Sequence, residues 1–531
     1  MLIHRLHSLC LSSLYIEKEF DRQIFVDSHP TQIAQMPLVQ ALQAAAERSR
    51  APFHTPGHRQ GNGVARELGD WWGQAVFQAD LPELPELDNL FAPQGAIAAA
   101  QALAASAFGA EQTYFLVNGS TSGVIAAILA TCQPGEKIIL PRTVHQSAIS
   151  GVILAGAIPI FLAPEYDAER DMTHCLTPAA IANALAQHPD ARAVLIVSPT
   201  YYGVCGDVAA IAQLAHQHNL PLLVDEAHGA HFAFHPDLPT PAMIAGADVA
   251  VQSIHKTLTA MTQAAMLHRQ GNRVKDDRLR NALMLVQSTS PSYLLLASLD
   301  AARQQMATQG FERMQYAIDL AESARSRLSQ IPGLAVLNPD QAGSPGFVAL
   351  DRTRLTVPVA GLGLDGFTAD EILHQTWGVT AELPTLQHLT FIITPGNTEA
   401  DIDRLVQGFQ ELARAAHLDA PNPATFSRKA QNPTLKTQKI PHLSMTQSLS
   451  LRDAFFAPSE TRSIAQSVGY LSAELVCPYP PGIPVLMPGE LITSAAIAYL
   501  QQILNVGGKI SGCADPSLET LRVIVDRATG F

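Results

Sequence analysis

Lys256 stands in V-Q-S-I-H-K-T-L-T, at the end of an apolar run and close behind Ser253 and His255. Upstream, Asp225 closes another apolar run in L-L-V-D-E-A-H. A lysine able to form a Schiff base, with a carboxylate for a pyridinium nitrogen, is the pair that pyridoxal phosphate (PLP) asks of a protein. A carboxylate ending a buried strand is costly unless paired. Bonded to a pyridine nitrogen it would keep that nitrogen protonated and the ring an electron sink; its ordinary alternative is a cap on a neighbouring helix. Near a phosphate and a pyridinium, Lys256 would be neutral enough to act as nucleophile and later as proton donor. Ala227, two residues beyond Asp225, is small enough to pack on one ring face.

V-N-G-S-T-S-G followed by V-I-A-A-I-L-A reads as strand, turn and helix. Backbone N–H groups at that helix start, with the hydroxyls of Ser120 and Thr121, would hold a dianionic phosphate, although an ordinary helix cap has the same composition. Ser253 and His255 are placed to contact the same phosphate. His145, in P-R-T-V-H-Q-S, follows a strand and could stack on the other ring face, or be a core or surface histidine. His228, His231 and His235 raise a metal alternative with Asp225. The chain has no H-E-x-x-H and no second carboxylate cluster, so no metal is assigned.

These residues need a frame. Thr113 to Val117, Ile138 to Leu140, Ile158 to Leu162, Val194 to Val197, Leu222 to Val224 and Val249 to Val251 read as short strands. Helices fall between them, including one opening at Asp207 with Val208, Ile211 and Leu214/Ala215 on one face. That alternation predicts an α/β fold, a mostly parallel sheet with helices on both faces. Ligands in such sheets sit at the carboxyl ends of the strands, where Asn118, Ser198, Asp225 and Ser253 all fall. Further helices are expected near Pro37, with Leu38, Leu42 and Ala45 on one face, from Ala96 to Ala107, and over about 300 to 330. The chain divides into a 1–33 extension, an N-terminal segment plus large domain over 34–330, a small α+β domain over 331–417, a linker over 418–445 and a C-terminal α+β domain over 446–531.

The 531 residues are 47% hydrophobic and 15% charged, as in a well-packed enzyme. A net charge of −13 argues against a nucleic-acid partner. Six scattered cysteines without C-x-x-C suit reduced thiols in a cytoplasm. No apolar stretch reaches the ~18 residues of a membrane span. The N-terminal run lacks a convincing small-residue cleavage site and reads as a frayed extension.

The chain resembles the PLP-dependent Orn/Lys/Arg decarboxylases of the aspartate-aminotransferase fold, in their short bacterial form without an N-terminal wing. The resemblance rests on F-H-T-P-G-H-R-Q-G, D-L-P-E-L-P-E-L-D-N-L, N-G-S-T-S-G, S-P-T-Y-Y-G, V-D-E-A-H-G, S-I-H-K-T-L-T-A-M-T-Q, Q-S-T-S-P-S-Y and S-G-C-A-D-P-S-L, which occur in order from about Pro37 to the end. It implies that Lys256 forms the Schiff base, Asp225 pairs with the ring nitrogen and His145 stacks on the ring. It also implies that Ser120, Thr121, Ser253 and His255 hold the phosphate, with Thr200 and His228 near the phenolic oxygen and ring. Gln287 to Tyr293 would approach the phosphate of a neighbouring subunit, which implies a homodimer with shared sites.

The family implies α-decarboxylation of arginine, lysine or ornithine to agmatine, cadaverine or putrescine, with arginine favoured by the short form. Aminotransferases and many lyases grip the substrate α-carboxylate with a small-domain arginine, yet no Arg occurs between Ala381 and Asp403. A departing carboxylate gains nothing from such a grip. Asp80, Glu83 and Asp88 are the candidates for the substrate's cationic tail, by resemblance and charge, in their own subunit or supplied across a dimer; the alternative is a solvated acidic loop. Another PLP reaction, a non-catalytic PLP-binding regulator and a metal-dependent hydrolase are the alternatives.

Overall fold

The computed structural model describes residues 33–417 and 449–525. The expected linker, and all but the last residue of the expected extension, lie outside the described residues.

Seven strands form the central sheet: β1 (Gln112–Leu116), β2 (Lys137–Pro141), β3 (Ile158–Leu162), β4 (Ala191–Val197), β5 (Leu222–Asp225), β6 (Val249–Gln252) and β7 (Ala265–Arg269). Their spatial order is β1-β7-β6-β5-β4-β2-β3. Neighbours from β3 to β6 are parallel, and β7 runs antiparallel between β6 and β1. Helices α1 (Pro37–Ala46), α2 (Ala96–Phe108), α3 (Gly119–Thr131), α4 (Gln146–Ala155), α5 (Pro178–Gln187), α6 (Val208–Gln217), α7 (Asp276–Val286) and α8 (Tyr293–Leu328) cover it. Alternate residues of one strand serve opposite faces: Ile138 and Leu140 pack with α3 and α4, while Ile139 packs with α5 and α6. Burial on both faces is what made these strands readable as continuous apolar runs.

β7 has no such signature, because His268 and Arg269 interrupt it. The structure accommodates buried His268 by bonding it to Thr113 Oγ1 at 2.8 Å and Gln252 Oε1 at 3.0 Å. α1 starts at Pro37, where a missing N–H is harmless, and buries Leu38, Leu42 and Ala45 as the spacing predicts. Each leucine contributes roughly 1.5–3 kcal/mol by burial, and Asp300 of α8 accepts from Leu38 N at 2.9 Å. α6 is capped by Asp207, which accepts from Ala210 N at 2.9 Å. α8 starts earlier than its periodicity indicates, at Tyr293.

α2 is capped from outside its own first turn. Asp88, held at φ +78, accepts from Gly95 N at 2.7 Å and Ile97 N at 3.0 Å. Burial raises the Asp88 carboxyl, but N–H bonds from Gln94, Asn89, Gly95 and Ala98 outweigh it and leave the pKa lowered. A depressed folded pKa means stability that is present above the unfolded value and lost as pH falls through the folded one. Asp88→Ala is expected to cost about 1–2 kcal/mol at neutral pH. Denaturant melts should show that difference shrinking in acid; a difference that grows there would contradict the assignment.

A three-stranded antiparallel sheet follows, β8 (Arg354–Pro358), β9 (Leu383–Pro384) and β10 (His388–Ile392) in the order β8-β10-β9, with α9 (Gly366–Ile372) and α10 (Glu399–His417). α8 joins the two sheets: Leu296, Leu299 and Met306 belong to the core against the central sheet, and Leu320, Ala324 and Leu328 pack with Leu355, Phe391 and Phe409.

The last described segment contains α11 (Leu451–Phe456), β11 (Ser459–Ser463), β12 (Cys477–Tyr479), α12 (Ser494–Asn505), β13 (Lys509–Ser511) and β14 (Thr520–Ile524). β11 pairs with β14 and β12 with β13, around a core that includes Val476, Ile492 and Leu500. Leu451 and Met487 insert into the core of the central sheet. Arg142, just past β2 and 1% exposed, meets Glu490 at 2.8 Å and donates to Pro484 O at 2.8 Å. This segment is thereby fastened beside the carboxyl end of β2.

Candidate active site

A cavity of about 330 Å³ is lined by Gly119, Pro141, Val197, Asp225 and Ser253, which lie at or just beyond the carboxyl ends of β1, β2, β4, β5 and β6. Register fixes the floor, since Val197 pairs with Asp225 and Asp225 with Val251. Asp225 is 8% exposed; its Oδ1 accepts from Ala227 N at 3.2 Å, and Oδ2 has no hydrogen bond among the described residues. Burial raises its carboxyl, opposed by the charge of Lys256 and by the Ala227 bond.

Lys256 sits in a single helical turn, Ile254–Thr257, that opens directly after β6. Burial lowers its pKa, against the opposing pull of Asp225 and Glu382. Its Nζ lies 3.1 Å from His228 Nε2, and His228 Nδ1 lies 3.4 Å from an Arg354 guanidinium nitrogen. His145 caps α4, its Nδ1 accepting from Ser147 N at 3.2 Å. Burial, then the charge of Lys256, takes its pKa down to about 4, so the ring is neutral.

Ser120 and Thr121 open α3 behind Gly119, whose φ of +73 turns the chain from β1 into the helix. Ser253 donates to Ser120 at 2.7 Å, linking two of the cavity's hydroxyls. His255 Nδ1 bonds Ala264 O at 3.0 Å, which leaves Nε2 for the cavity that the residue lines. Thr200 lines it too, on the turn after β4, where its Oγ1 accepts from Val204 N at 3.3 Å.

Two family descriptions match in order: "Orn/Lys/Arg decarboxylase, major domain" over residues 36–401 and "Orn/Lys/Arg decarboxylase, C-terminal domain" over 430–515. The chain belongs to the Orn/Lys/Arg decarboxylase family. Among relatives in this family, the arginine decarboxylase of Bacillus subtilis (strain 168) is 39% identical, over 92% of this chain and 98% of that one. A lysine decarboxylase of Pseudomonas aeruginosa is 26% identical, over 88% of this chain and 75% of that one. The crystal structure of the Francisella novicida lysine decarboxylase superposes with a TM-score of 0.79 at 22% identity, covering 93% of this chain and 82% of that one. The fold is the aminotransferase-like α/β architecture of this family, with the sheet mixed through β7.

All nine residues expected around a PLP molecule, Ser120, Thr121, His145, Thr200, Asp225, His228, Ser253, His255 and Lys256, line the one cavity. Asp80, Glu83 and Asp88, expected to meet the substrate, do not line the cavity of their own chain. Asp88 caps α2, Glu83 accepts from Asn89 Nδ2 at 2.6 Å and Leu90 N at 2.9 Å, and Asp80 pairs with His58 at 3.1 Å. Local donors engage Asp88 and Glu83, backbone N–H groups at the first and one backbone N–H with the Asn89 side-chain amide at the second, which charge counting along a loop does not detect. The carboxylates that line the cavity are Asp225 and Asp171, the latter accepting from the Tyr166 hydroxyl.

The three histidines that raised a metal alternative diverge. His228 turns to Lys256, His231 to Asp351 at 3.1 Å and His235 to Gln315 at 3.0 Å. Sequence reasoning gave no site role to Tyr479 and Tyr499, which line the cavity from the C-terminal segment, or to Arg354. The turn motif P-Y-P-P-G was the available signal: Tyr201 Oη donates to Pro481 O at 2.8 Å, and Gly482 O accepts from Gln146 N at 3.1 Å. Gln287, at the head of the motif expected near a neighbouring subunit, accepts from Val117 N at 2.9 Å, while Ser288, Thr289 and Ser290 behind it are exposed.

Proposed function

We propose that this protein catalyses PLP-dependent α-decarboxylation of a basic amino acid, arginine in the first place, releasing CO2 and agmatine. The observation that carries the reading is the convergence of Lys256 and Asp225 on a cavity that, among the described residues, no arginine lines. The similarity to arginine decarboxylases over nearly the whole length of both chains supports the substrate. The cavity fits the cofactor by its donor set. Asp225 Oδ2 lacks a partner where a pyridinium N–H would supply one, and a helix start with two linked serines offers donors to a phosphate.

When bound, PLP supplies the electron sink for the electron pair that the departing carboxylate leaves on the α-carbon. Asp225 would hold the proton on the pyridine nitrogen, and Lys256 would be the amine that attaches the cofactor. Ser120, Thr121, Ser253 and His255 bind the phosphate. His145 would orient the ring, and Thr200 and His228 would serve its phenolic oxygen and ring. Lys256 or groups on the His145 side return a proton to the α-carbon. Among the described residues no arginine lines the cavity to grip the α-carboxylate, so this chain's lining would leave that group free to depart. Besides Asp225, the carboxylate that lines the cavity among the described residues is Asp171, which would be available to the substrate's cationic tail.

The reading extends to a cytoplasmic homodimer sharing its sites through Gln287 to Tyr293, to a role in polyamine formation, and to the division of the chain at 33, 330, 417 and 445. No described helix is long and apolar enough to cross a membrane. The decisive experiment incubates PLP-loaded protein with arginine, lysine and ornithine and identifies the products. CO2 with agmatine as the main amine is expected. Cadaverine or putrescine would reassign the substrate, and amino transfer to a keto acid would sink the decarboxylase reading.

A further inference from the structure

We propose that Arg354 is a positioning residue: through His228 it fixes the proton that makes Lys256 a neutral, attacking amine. The proposal rests on the reading that Lys256 is the attachment lysine, and it concerns the state in which that amine is free.

A guanidinium has N–H donors and no acceptor. His228 Nδ1, 3.4 Å from Arg354 Nη2, therefore accepts, and the proton of the neutral imidazole must sit on Nε2. That N–H points across 3.1 Å to Lys256 Nζ. An ammonium there would set donor against donor; a free amine offers the lone pair that the contact needs. Two distances and the fixed polarity of arginine thus define the protonation of the whole row. The ring is held in place as well, its centroid 4.7 Å from that of Tyr201 in an edge-to-face contact.

Arg354 is built to do this. It belongs to β8, on the sheet beyond the central one, and is 1% exposed. Its charge faces Asp351 at 3.9 Å, and Asp351 Oδ1 is itself held by His231 Nε2 at 3.1 Å and Thr353 Oγ1 at 2.7 Å. Its stem is enclosed: a Cβ added to Gly203 would fall 2.7 Å from Arg354 Cβ. Yet Nε and Nη1 have no partner among the described residues. A buried arginine so sparsely bonded is a poor structural device, and its one side-chain hydrogen bond goes to His228. It does not line the cavity, so it meets the site through that histidine.

The charges that bear on Lys256 agree with the row. Burial and Arg354 lower its pKa, Asp225 and Glu382 raise it, and the net shift is downward. Burial is the first cause that lowers His145, His228 and His255, and the charge of Arg354 adds to it at His228.

The test uses the full-length protein freed of cofactor. Competitive acetylation read by mass spectrometry gives the pH at which Lys256 becomes reactive, with the other lysines as internal standards. Arg354→Met is expected to move that midpoint upward by about one pH unit or more, and Arg354→Lys to restore most of it. In a His228→Phe background, Arg354→Met should produce a clearly smaller shift, the part that its charge exerts directly on Lys256. An unchanged midpoint in the single variant, or an equal shift in both backgrounds, would overturn the proposal. Should Arg354→Met fail to fold, nitrogen NMR of histidine-labelled protein, with His228→Phe for assignment, reads the tautomer directly. A proton on His228 Nδ1 would overturn the proposal and one on Nε2 would support it. Failure to take up PLP would overturn the functional reading instead, and none of these measurements depends on it.

Discussion

Lys256→Ala is expected to remove the decarboxylase activity by about 10⁴-fold or more, because one substitution deletes both the attaching amine and a proton donor to the α-carbon. The fold should survive. Lys256 makes one side-chain hydrogen bond, to His228, and its stem is not part of any apolar core. Purified variant and parent should therefore melt alike, while the visible absorbance of the covalently held cofactor disappears. Turnover within tenfold of the parent would remove Lys256 from the chemistry and leave the cavity without a nucleophile.

The largest effect on stability is expected at Arg142. Its guanidinium and the carboxylate of Glu490 are both buried, and Glu490 also accepts from Met487 N at 2.8 Å. Burial lowers the arginine and raises the carboxyl, each opposed by the charge of its partner. Arg142→Met would strand a buried carboxylate, at a cost of about 3–5 kcal/mol. Replacing both residues by methionine should recover much of that loss, since a buried pair exchanged for apolar side chains is often neutral. Denaturant melts of the parent, the single and the double variant decide the matter. A single variant as stable as its parent would show that the pair fastens nothing.

Much of the site was legible in the sequence because it consists of strand ends. An apolar run that stops at Asp225, and another that stops just before Ser253, mark two points of the same sheet edge whatever folds between them. The Gly-Ser-Thr turn at Gly119 to Thr121 is likewise local. What escaped was non-local or disguised. β7 hides behind His268, whose burial depends on partners in β1 and β6. Arg354 reads as a strand residue of the β8 sheet, and nothing in its neighbours reveals that a histidine from the central sheet's turn will meet it. Asp88 and Glu83 lie in an acidic motif that invites a ligand, yet their oxygens are engaged by backbone N–H groups and, at Glu83, by the Asn89 amide, all a few residues away. Charge along a loop does not tell a cap from a binding group; only geometry does.

The cavity wall formed by Pro478 to Val485 and Tyr499 has a consequence for the order in which the protein is made. A growing chain emerges from its N-terminus, so Asp225, His228 and Lys256 leave the ribosome long before their cover exists. Until Glu490 arrives, Arg142 has no carboxylate to meet, and His145 and Tyr201 face open solvent where Gly482 and Pro481 will later sit. The sheet and its chemistry are thus synthesised first and enclosed last. Closure of this cavity therefore requires the chain as far as Tyr499, well beyond the sheet that carries the lysine.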